Sequence, residues 1–270
     1  MTRLVCRPLA PVVGDLAGNQ RRVLETLATL STAGADVIVL PELVTSGYVF
    51  TSQREAASCA LAADGPELAQ WSAALTGDTV AVAGFAERAP DGRLFNSAAL
   101  VDAGGVRAVH RKAHLWDREK LFFAPGSHPA PVVETAFGRL AVMICYDLEF
   151  PEYTRQAALA GADMLAVPVN WPLVPRPTGE RPPEVVIGQA AARVNRMVVA
   201  CCDRVGTERG QEWTEGTTVI GADGWVLASG GPGSAEDGVW ADVDLTAGRA
   251  KALTEHADLF ADRRPDLYGA

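Results

Sequence analysis

The chain has 270 residues, 48% of them hydrophobic and 21% charged, with a formal net charge of -9 and a sequence pI near 5.0. That length and apolar content suit one large domain with an extensive core. The acidic balance argues against nucleic acid or an anionic membrane as the main partner, because basic patches hold such surfaces, and small-molecule chemistry fits better.

The five cysteines, Cys6, Cys59, Cys145, Cys201 and Cys202, are odd in number, and the adjacent pair lacks the CxxC spacing of a zinc or redox site. A reducing cytoplasm is the expected location. No basic segment followed by a short apolar run opens the chain, and no apolar run approaches the roughly 20 residues that a transmembrane helix needs. Neither secretion nor membrane insertion is expected.

Taken in order, residues 4–13 read as a first strand whose Pro8 and Pro11 point to an edge or irregular piece. Residues 19–32, NQRRVLETLATLST, set Val23, Leu24, Leu27 and Leu30 at helical spacing, with Asn19 as a cap and Gly34 as the stop. Residues 36–40, DVIVL, form a buried strand that runs directly into Pro41 and Glu42. A carboxylate in that position stands where open α/β sheets collect functional groups, although taken alone it reads equally well as a solvated loop residue. Residues 62–76 are a second helix, with Asp64 ahead of Pro66 at its start.

Residues 79–87 and 94–101 are strands joined by the turn residues Pro90, Asp91 and Gly92, and residues 106–112 are a third after a tight turn. Hairpins among helices imply a mixed sheet. The third strand ends at Lys112, followed by His114, Leu115, Trp116, Asp117 and Glu119 and then LFFAPG, an aromatic segment able to cover the ammonium. His110 and His114 are four apart, but that spacing makes a ligand pair only on a helix and this segment reads as strand and loop, so no metal is expected.

Residues 140–144 are a short apolar run suited to a strand covered on both faces, and the run stops at Cys145. YDLEFPE follows, in which Pro151 suits the first turn of a helix over 152–160. The thiol therefore sits on a strand-to-helix turn. Unpaired backbone N–H groups and the positive end of a helix are expected there to favour the thiolate over a thiol of ordinary pKa about 8.5, and to stabilise an adjacent oxyanion. Residues 163–169 form another buried strand leading into Asn170, Trp171 and Pro172, and a proline-rich loop precedes a helix at 185–197. Strands are expected at 198–203, 213–220, 225–229 and 239–243, the last two completing an antiparallel ending. The tail, 253–270, mixes Leu259, Phe260, Leu267 and Tyr268 with charges, and its aromatics imply that it docks, with a second subunit among the candidate surfaces.

Glu42, Lys112 and Cys145 each close an expected strand, so a shared sheet rim would gather a base, a cation and a nucleophile. At these positions the chain resembles the nitrilase superfamily of carbon–nitrogen hydrolases, in the blocks VLPEL (39–43), HRKAHLWDREKLFFAPG (110–126) and MICYDLEFPE (143–152), and in the ending ADRRPDLY (261–268). The resemblance implies an α/β fold, a four-layer αββα sandwich of two mixed sheets flanked by helices, over a single carbon–nitrogen hydrolase domain spanning residues 1–270. It also implies pairing through helices into a homodimer or higher homo-oligomer, helped by the tail. Carried over residue by residue, the family's glutamate–lysine–cysteine triad falls on Glu42, Lys112 and Cys145, and its additional active-site glutamate on Glu119. One departure is visible. Where many relatives carry Arg-Ala-x-Glu-Asn this chain has AARVN at 191–195, so Ala191 and Val194 replace a charged pair, which puts in doubt a local ion pair and the shape of the neighbouring dimer surface.

The reaction expected from this resemblance is hydrolysis of small aliphatic primary amides through a cysteine thioester. N-carbamoyl compounds and nitriles are alternative substrates for the same triad, acyl transfer is a further outcome, and a catalytically silent dimeric scaffold is the non-enzymatic alternative. Amidase is preferred because the length and the ICYDLEFPE block look like the shorter amidase-type branches. Glu42 is expected to act as base, Cys145 as nucleophile, and Lys112 with the Tyr146 N–H as oxyanion donors, while Glu119 holds the substrate amine or orients Lys112. Tyr146, Trp116, Asn170 and Trp171 are the candidate substrate contacts, each equally readable as core packing. The scheme calls for no histidine, cofactor or metal.

Overall fold

Strands that are apolar at successive positions have to be covered on both faces, and this chain stacks them in two sheets. The computed structural model describes residues 1–231 and 235–268. The first half supplies β1 (Thr2–Cys6), helix α1 (Leu16–Thr32), β2 (Val37–Val39), helices α2 (Gln53–Ser58) and α3 (Pro66–Ala73), then β3 (Val80–Arg88), β4 (Leu94–Asp102) and β5 (Gly105–Arg111). The second supplies β6 (Val132–Thr135), β7 (Gly138–Val142), α4 (Pro151–Leu159), β8 (Met164–Pro168), α5 (Pro183–Asn195) and β9 (Val198–Cys202). A small hairpin, β10 (Thr207–Glu208) and β11 (Gln211–Glu212), is followed by β12 (Thr218–Ile220), β13 (Val226–Ser229) and β14 (Val239–Val243). The tail adds β15 (Ala252–Thr254), β16 (Ala257–Asp258) and α6 (Pro265–Tyr268).

The sheets run β14-β1-β2-β3-β4-β5 and β13-β12-β9-β8-β7-β6. Each has a parallel centre, β1/β2/β3 in one and β7/β8/β9 in the other, with antiparallel flanks. Alternation along the strands assigns the faces. Leu4, Cys6, Val37, Val39, Val80 and Val82 point at the other sheet, where they meet Leu140, Val142, Met164 and Ala166. Their neighbours Val5, Ile38, Ala81 and Ala83 point outward, onto Val23 and Leu27 of α1 and Leu68 and Trp71 of α3. Helices α4 and α5 cover the outer face of the second sheet. The result is a four-layer αββα sandwich. No helix among the described residues is long and apolar enough to cross a membrane.

Several expectations need correction. The first strand stops at Cys6, before Pro8, and lies between β14 and β2 rather than at an edge; the prolines constrain only the loop that follows. Helix α1 is capped by Asp15, whose carboxylate accepts from Gly18 N. Asn19 is instead buried inside the first turn, donating to the Val12 and Thr45 carbonyls and accepting from Val12 N. The strand expected over 213–220 is cut to Thr218–Ile220, because Trp213 makes only an isolated bridge with Pro172. The antiparallel ending is divided: β13 pairs with β12, whereas β14 crosses to β1 in the other sheet. Helix α2 and strand β6 had no sequence signal strong enough to nominate them, being six and four residues long. The last two residues of the tail lie outside the described residues.

Candidate active site

Three strand ends meet between the sheets. Strand β2 ends at Val39, and Leu40 N continues the ladder by donating to Val82 O before Pro41 and Glu42 turn away. Strand β3 passes directly beneath: Gly84 N donates to Pro41 O, and Val44 N donates to Gly84 O. A Cβ at Gly84 would lie 2.6 Å from Glu42 Cα and 2.5 Å from Leu43 N, so only glycine permits this approach. Leu43, buried, takes the left-handed conformation at φ 48°, which turns the chain sharply after Glu42.

Lys112 follows β5 and is anchored on both sides of its peptide, Lys112 N donating to Asn96 O and Gly126 N donating to Lys112 O, each at 2.8 Å. Its ammonium is fully buried and donates to Glu42 Oε1 and to Glu119 Oε1, both at 2.7 Å. Two carboxylates therefore share one cation. Glu119 lies on a 3-10 turn, Asp117–Leu121, and its second oxygen accepts from Trp116 N. Burial alone would lower the Lys112 pKa, but Glu119 and Glu42 outweigh it and hold the ammonium well above its ordinary value.

Glu42 uses its two oxygens differently. Oε1 accepts from Lys112 Nζ and from Asn96 Nδ2 at 2.7 Å, whereas Oε2 is buried without a hydrogen-bond partner among the described residues. Burial raises its pKa to about 7, against the pull of Lys112.

Cys145 arrives from the other sheet. It follows β7 by three residues and opens a 3-10 turn, Cys145–Glu149, with φ 46°. Its thiol lies 4.0 Å from Asn170 O, and the Asn170 side chain donates to Glu42 O at 3.0 Å, linking the end of β8 to the glutamate. The expected bias toward thiolate is overturned. Burial, and then the Glu42 charge, push the thiol pKa well up, and Lys112 only partly offsets them. The resting group is a thiol, so any attack by it needs a base.

The turn that carries Cys145 is tied to the Lys112 segment by Asp147, a residue sequence reasoning passed over. Oδ1 accepts from His114 Nδ1 at 2.8 Å, His114 N at 2.9 Å and Ala113 N at 3.2 Å, while Oδ2 accepts from Ile144 N and engages His110 Nε2 at 2.9 Å. Burial opposes its ionisation, but the hydrogen bonds from His110 and His114 prevail and hold the carboxyl at about 2.

A carboxylate, an ammonium and a thiol are thus delivered by separate strand ends of an αββα sandwich, and a family model for carbon–nitrogen hydrolases matches residues 5–252. The chain belongs to that family. A nitrilase from Pyrococcus abyssi is 33% identical over 272 residues, covering 99% of each chain. An (R)-stereoselective amidase from a Pseudomonas species is 33% identical, covering 95% of this chain and 89% of its own. Among solved structures, an amidase from a Nesterenkonia species superposes with a TM-score of 0.78 at 26% identity, covering 98% of this chain and 94% of that one. A variant of the Nesterenkonia amidase, at 25% identity and a TM-score of 0.77 over 99% of this chain and 98% of its own, shows acrylamide added at its active-site cysteine. These relatives make the chain a carbon–nitrogen hydrolase acting on non-peptide bonds, of the amidase and nitrilase type.

In this carbon–nitrogen hydrolase a cavity of about 130 Å³ borders Glu119, walled by Tyr48, Phe50, Trp116, Phe122 and Trp213; Glu42, Lys112 and Cys145 are not in its lining. Trp116 packs edge-on against Tyr146, their ring centres 4.9 Å apart. Trp171 lies outside this lining, buried in the main core cluster against Gly216, and Asn170 acts on the backbone of Glu42. Tyr48, Asn96 and Trp213 were not singled out from sequence. Tyr48 donates to Glu119 Oε1 at 2.6 Å, and burial with the nearby Glu119 keeps it a neutral phenol. A wider depression of about 820 Å³ lies between α4 and the tail, lined by Arg155, Leu159 and Tyr268 and by none of the residues gathered at Glu42.

Proposed function

We propose that the chain hydrolyses small aliphatic primary amides to carboxylic acid and ammonia, through a thioester on Cys145. The divided Glu42 carboxylate carries this reading: one oxygen is tied to Lys112 and Asn96, the other has no hydrogen-bond partner among the described residues, and the Glu42 charge acts on the Cys145 thiol. Glu42 takes the thiol proton as the sulfur attacks the carbonyl carbon. The oxyanion is held by the Lys112 ammonium and by Tyr146 N–H, which stands in the first turn of a 3-10 segment where backbone N–H groups lack an intrahelical acceptor. Protonated Glu42 then gives its proton to the departing nitrogen, and ammonia leaves a thioester. Water, deprotonated by Glu42, attacks that thioester; the acid departs and the thiol recovers its proton. Glu119 holds Lys112 through a second hydrogen bond in addition to that with Glu42.

The aromatic cavity of about 130 Å³ favours a short acyl group. The reading treats residues 1–270 as one catalytic unit, and we place its active form as a homodimer. Helix α5 turns Val186, Ala190 and Val194 outward at four-residue intervals, with Val186 50% and Val194 41% exposed, beside Leu159 of α4. An apolar stripe of this kind on an outer helix is a pairing surface for a second copy.

The test is ammonia release from acetamide, propionamide and butyramide, set against matched nitriles and N-carbamoyl amines, with intact-protein mass after rapid quenching. Acyl adducts on Cys145 from the amides, absent in Cys145→Ala, are expected. Turnover of nitriles or carbamoyl compounds alone would displace the amide assignment and leave the thiol chemistry standing.

A further inference from the structure

Behind the aromatic cavity runs a second buried ion pair that the hydrolytic scheme does not use. Arg204, 1% exposed, donates from Nη1 to Glu208 Oε2 at 2.9 Å and from Nη2 to Pro11 O at 3.1 Å, with its guanidinium 4.5 Å from the centre of the Trp213 ring. Glu208, on β10, spends its other oxygen on two successive peptides: Oε1 accepts from Tyr48 N at 2.8 Å and from Val49 N at 2.6 Å. Gly47 clears the way, since a Cβ there would fall 2.8 Å from Glu208 Oε2. Tyr48 then reaches forward to Glu119 Oε1, which also receives Lys112, which in turn reaches Glu42.

The contacts form an unbroken line from Arg204 to the Glu42 carboxylate, and each member except Tyr48 is a guanidinium, ammonium or carboxyl group. A buried ion pair is weak evidence of stabilisation, because removing two charges from water offsets their attraction. Its effect here is directional. Oε1 of Glu208 fixes the backbone from which the Tyr48 ring projects, and the hydroxyl has one acceptor, a carboxylate that shares Lys112 with Glu42. Moving Tyr48 removes a donor from the anionic pair formed by Glu42 and Glu119, which makes that pair take up its first proton more readily.

We propose that Glu208, held by Arg204, is a positioning residue for C–N bond hydrolysis, acting through Tyr48 on the Glu119–Lys112–Glu42 group. The proposal rests on the hydrolase reading above and predicts a coupling. Tyr48→Phe and Glu208→Gln should each lower kcat/KM by about 10- to 100-fold, mostly in kcat, as small displacements of a catalytic group do. Glu208→Gln retains an oxygen for Tyr48 N and Val49 N but turns an amide N–H toward Arg204. Added to Tyr48→Phe it should cost less than about threefold more, because both act on one contact.

Both single variants should also shift the acid limb of kcat/KM, and of Cys145 alkylation by iodoacetamide, to higher pH. Multiplying losses, or an unmoved acid limb in both variants, would overturn the proposal and leave Glu208 a structural residue. Should Glu208→Gln not fold, Glu208→Asp, which keeps the charge but shortens its reach to Tyr48 N, takes its place in the same cycle. Alkylation needs no substrate, so a wild-type enzyme inert to every amide would sink the amide assignment while the pH shift still decided the role of Glu208.

Discussion

Glu42 serves two opposed ends with one side chain, anchored through Oε1 and left open at Oε2. Burial holds its pKa at about 7, so below that pH the carboxyl carries a proton and above it the carboxylate is free. In the proposed mechanism kcat/KM therefore rises with pH through a midpoint close to 7, and falls about tenfold for each unit further into acid. Rates on a saturable amide from about pH 5 to about pH 8 read this directly; a flat profile would remove Glu42 as the base. Glu42 and Cys145 were legible because each follows an uninterrupted apolar run, where a polar residue has to lie beyond the sheet. Lys112 ends the alternating segment VRAVHRK and stood out only through the aromatic segment after it. Asn96 was hidden within the run LFNSAALV, and nothing local distinguishes a strand asparagine that holds a carboxylate from one that faces solvent. Tyr48 was hidden for a different reason: its place is set by Glu208, which lies 160 residues further along the chain. The state of the Cys145 thiol was misjudged because a turn's dipole is a local property, whereas burial comes from the other sheet.

Strands with continuous apolar runs were legible as elements because burial on both faces leaves no other composition. Edges were harder. Proline in residues 4–13 suggested an edge strand, yet the partner that makes β1 internal, β14, comes from the far end of the chain. Short pieces such as α2 and β10 have too few residues for a period to show, and their bonds are to distant partners, as with Arg209 of the hairpin, which donates to Glu55 of α2 at 2.9 Å. Element packing also makes a firm prediction at Gly84. Alanine there would press on the backbone of Glu42 and Leu43, so Gly84→Ala should cost about 1–3 kcal/mol in urea denaturation, as overpacking does. It should depress turnover further than stability, because the displaced backbone carries Glu42. Equal turnover in the refolded variant would show that β3 does not set the position of the glutamate.

At the scale of the whole molecule, the exposed stripe on α5 bears on assembly. The replacement of a charged pair by Ala191 and Val194 leaves Ala191 buried and Val194 on the outer face, where its carbonyl accepts from Arg155 Nη2 at 2.8 Å. If this face pairs two copies, Val186→Asp combined with Val194→Asp should yield a monomer in sedimentation velocity, with the fold retained by circular dichroism. A dimer that persists would place the contact elsewhere. The layered arrangement has one more consequence, which concerns the protein while it is being made. Glu42 and Lys112 belong to one sheet and Cys145 to the other, and the first sheet is completed only when β14 returns to β1. Until both sheets close, Cys145 has neither Glu42 nor Lys112 beside it, and a nascent chain carries an exposed thiol of ordinary pKa, a few per cent ionised near neutral pH. Folding therefore removes that exposed, indiscriminate thiol from solvent, raises its pKa, and leaves its ionisation to the groups gathered around it.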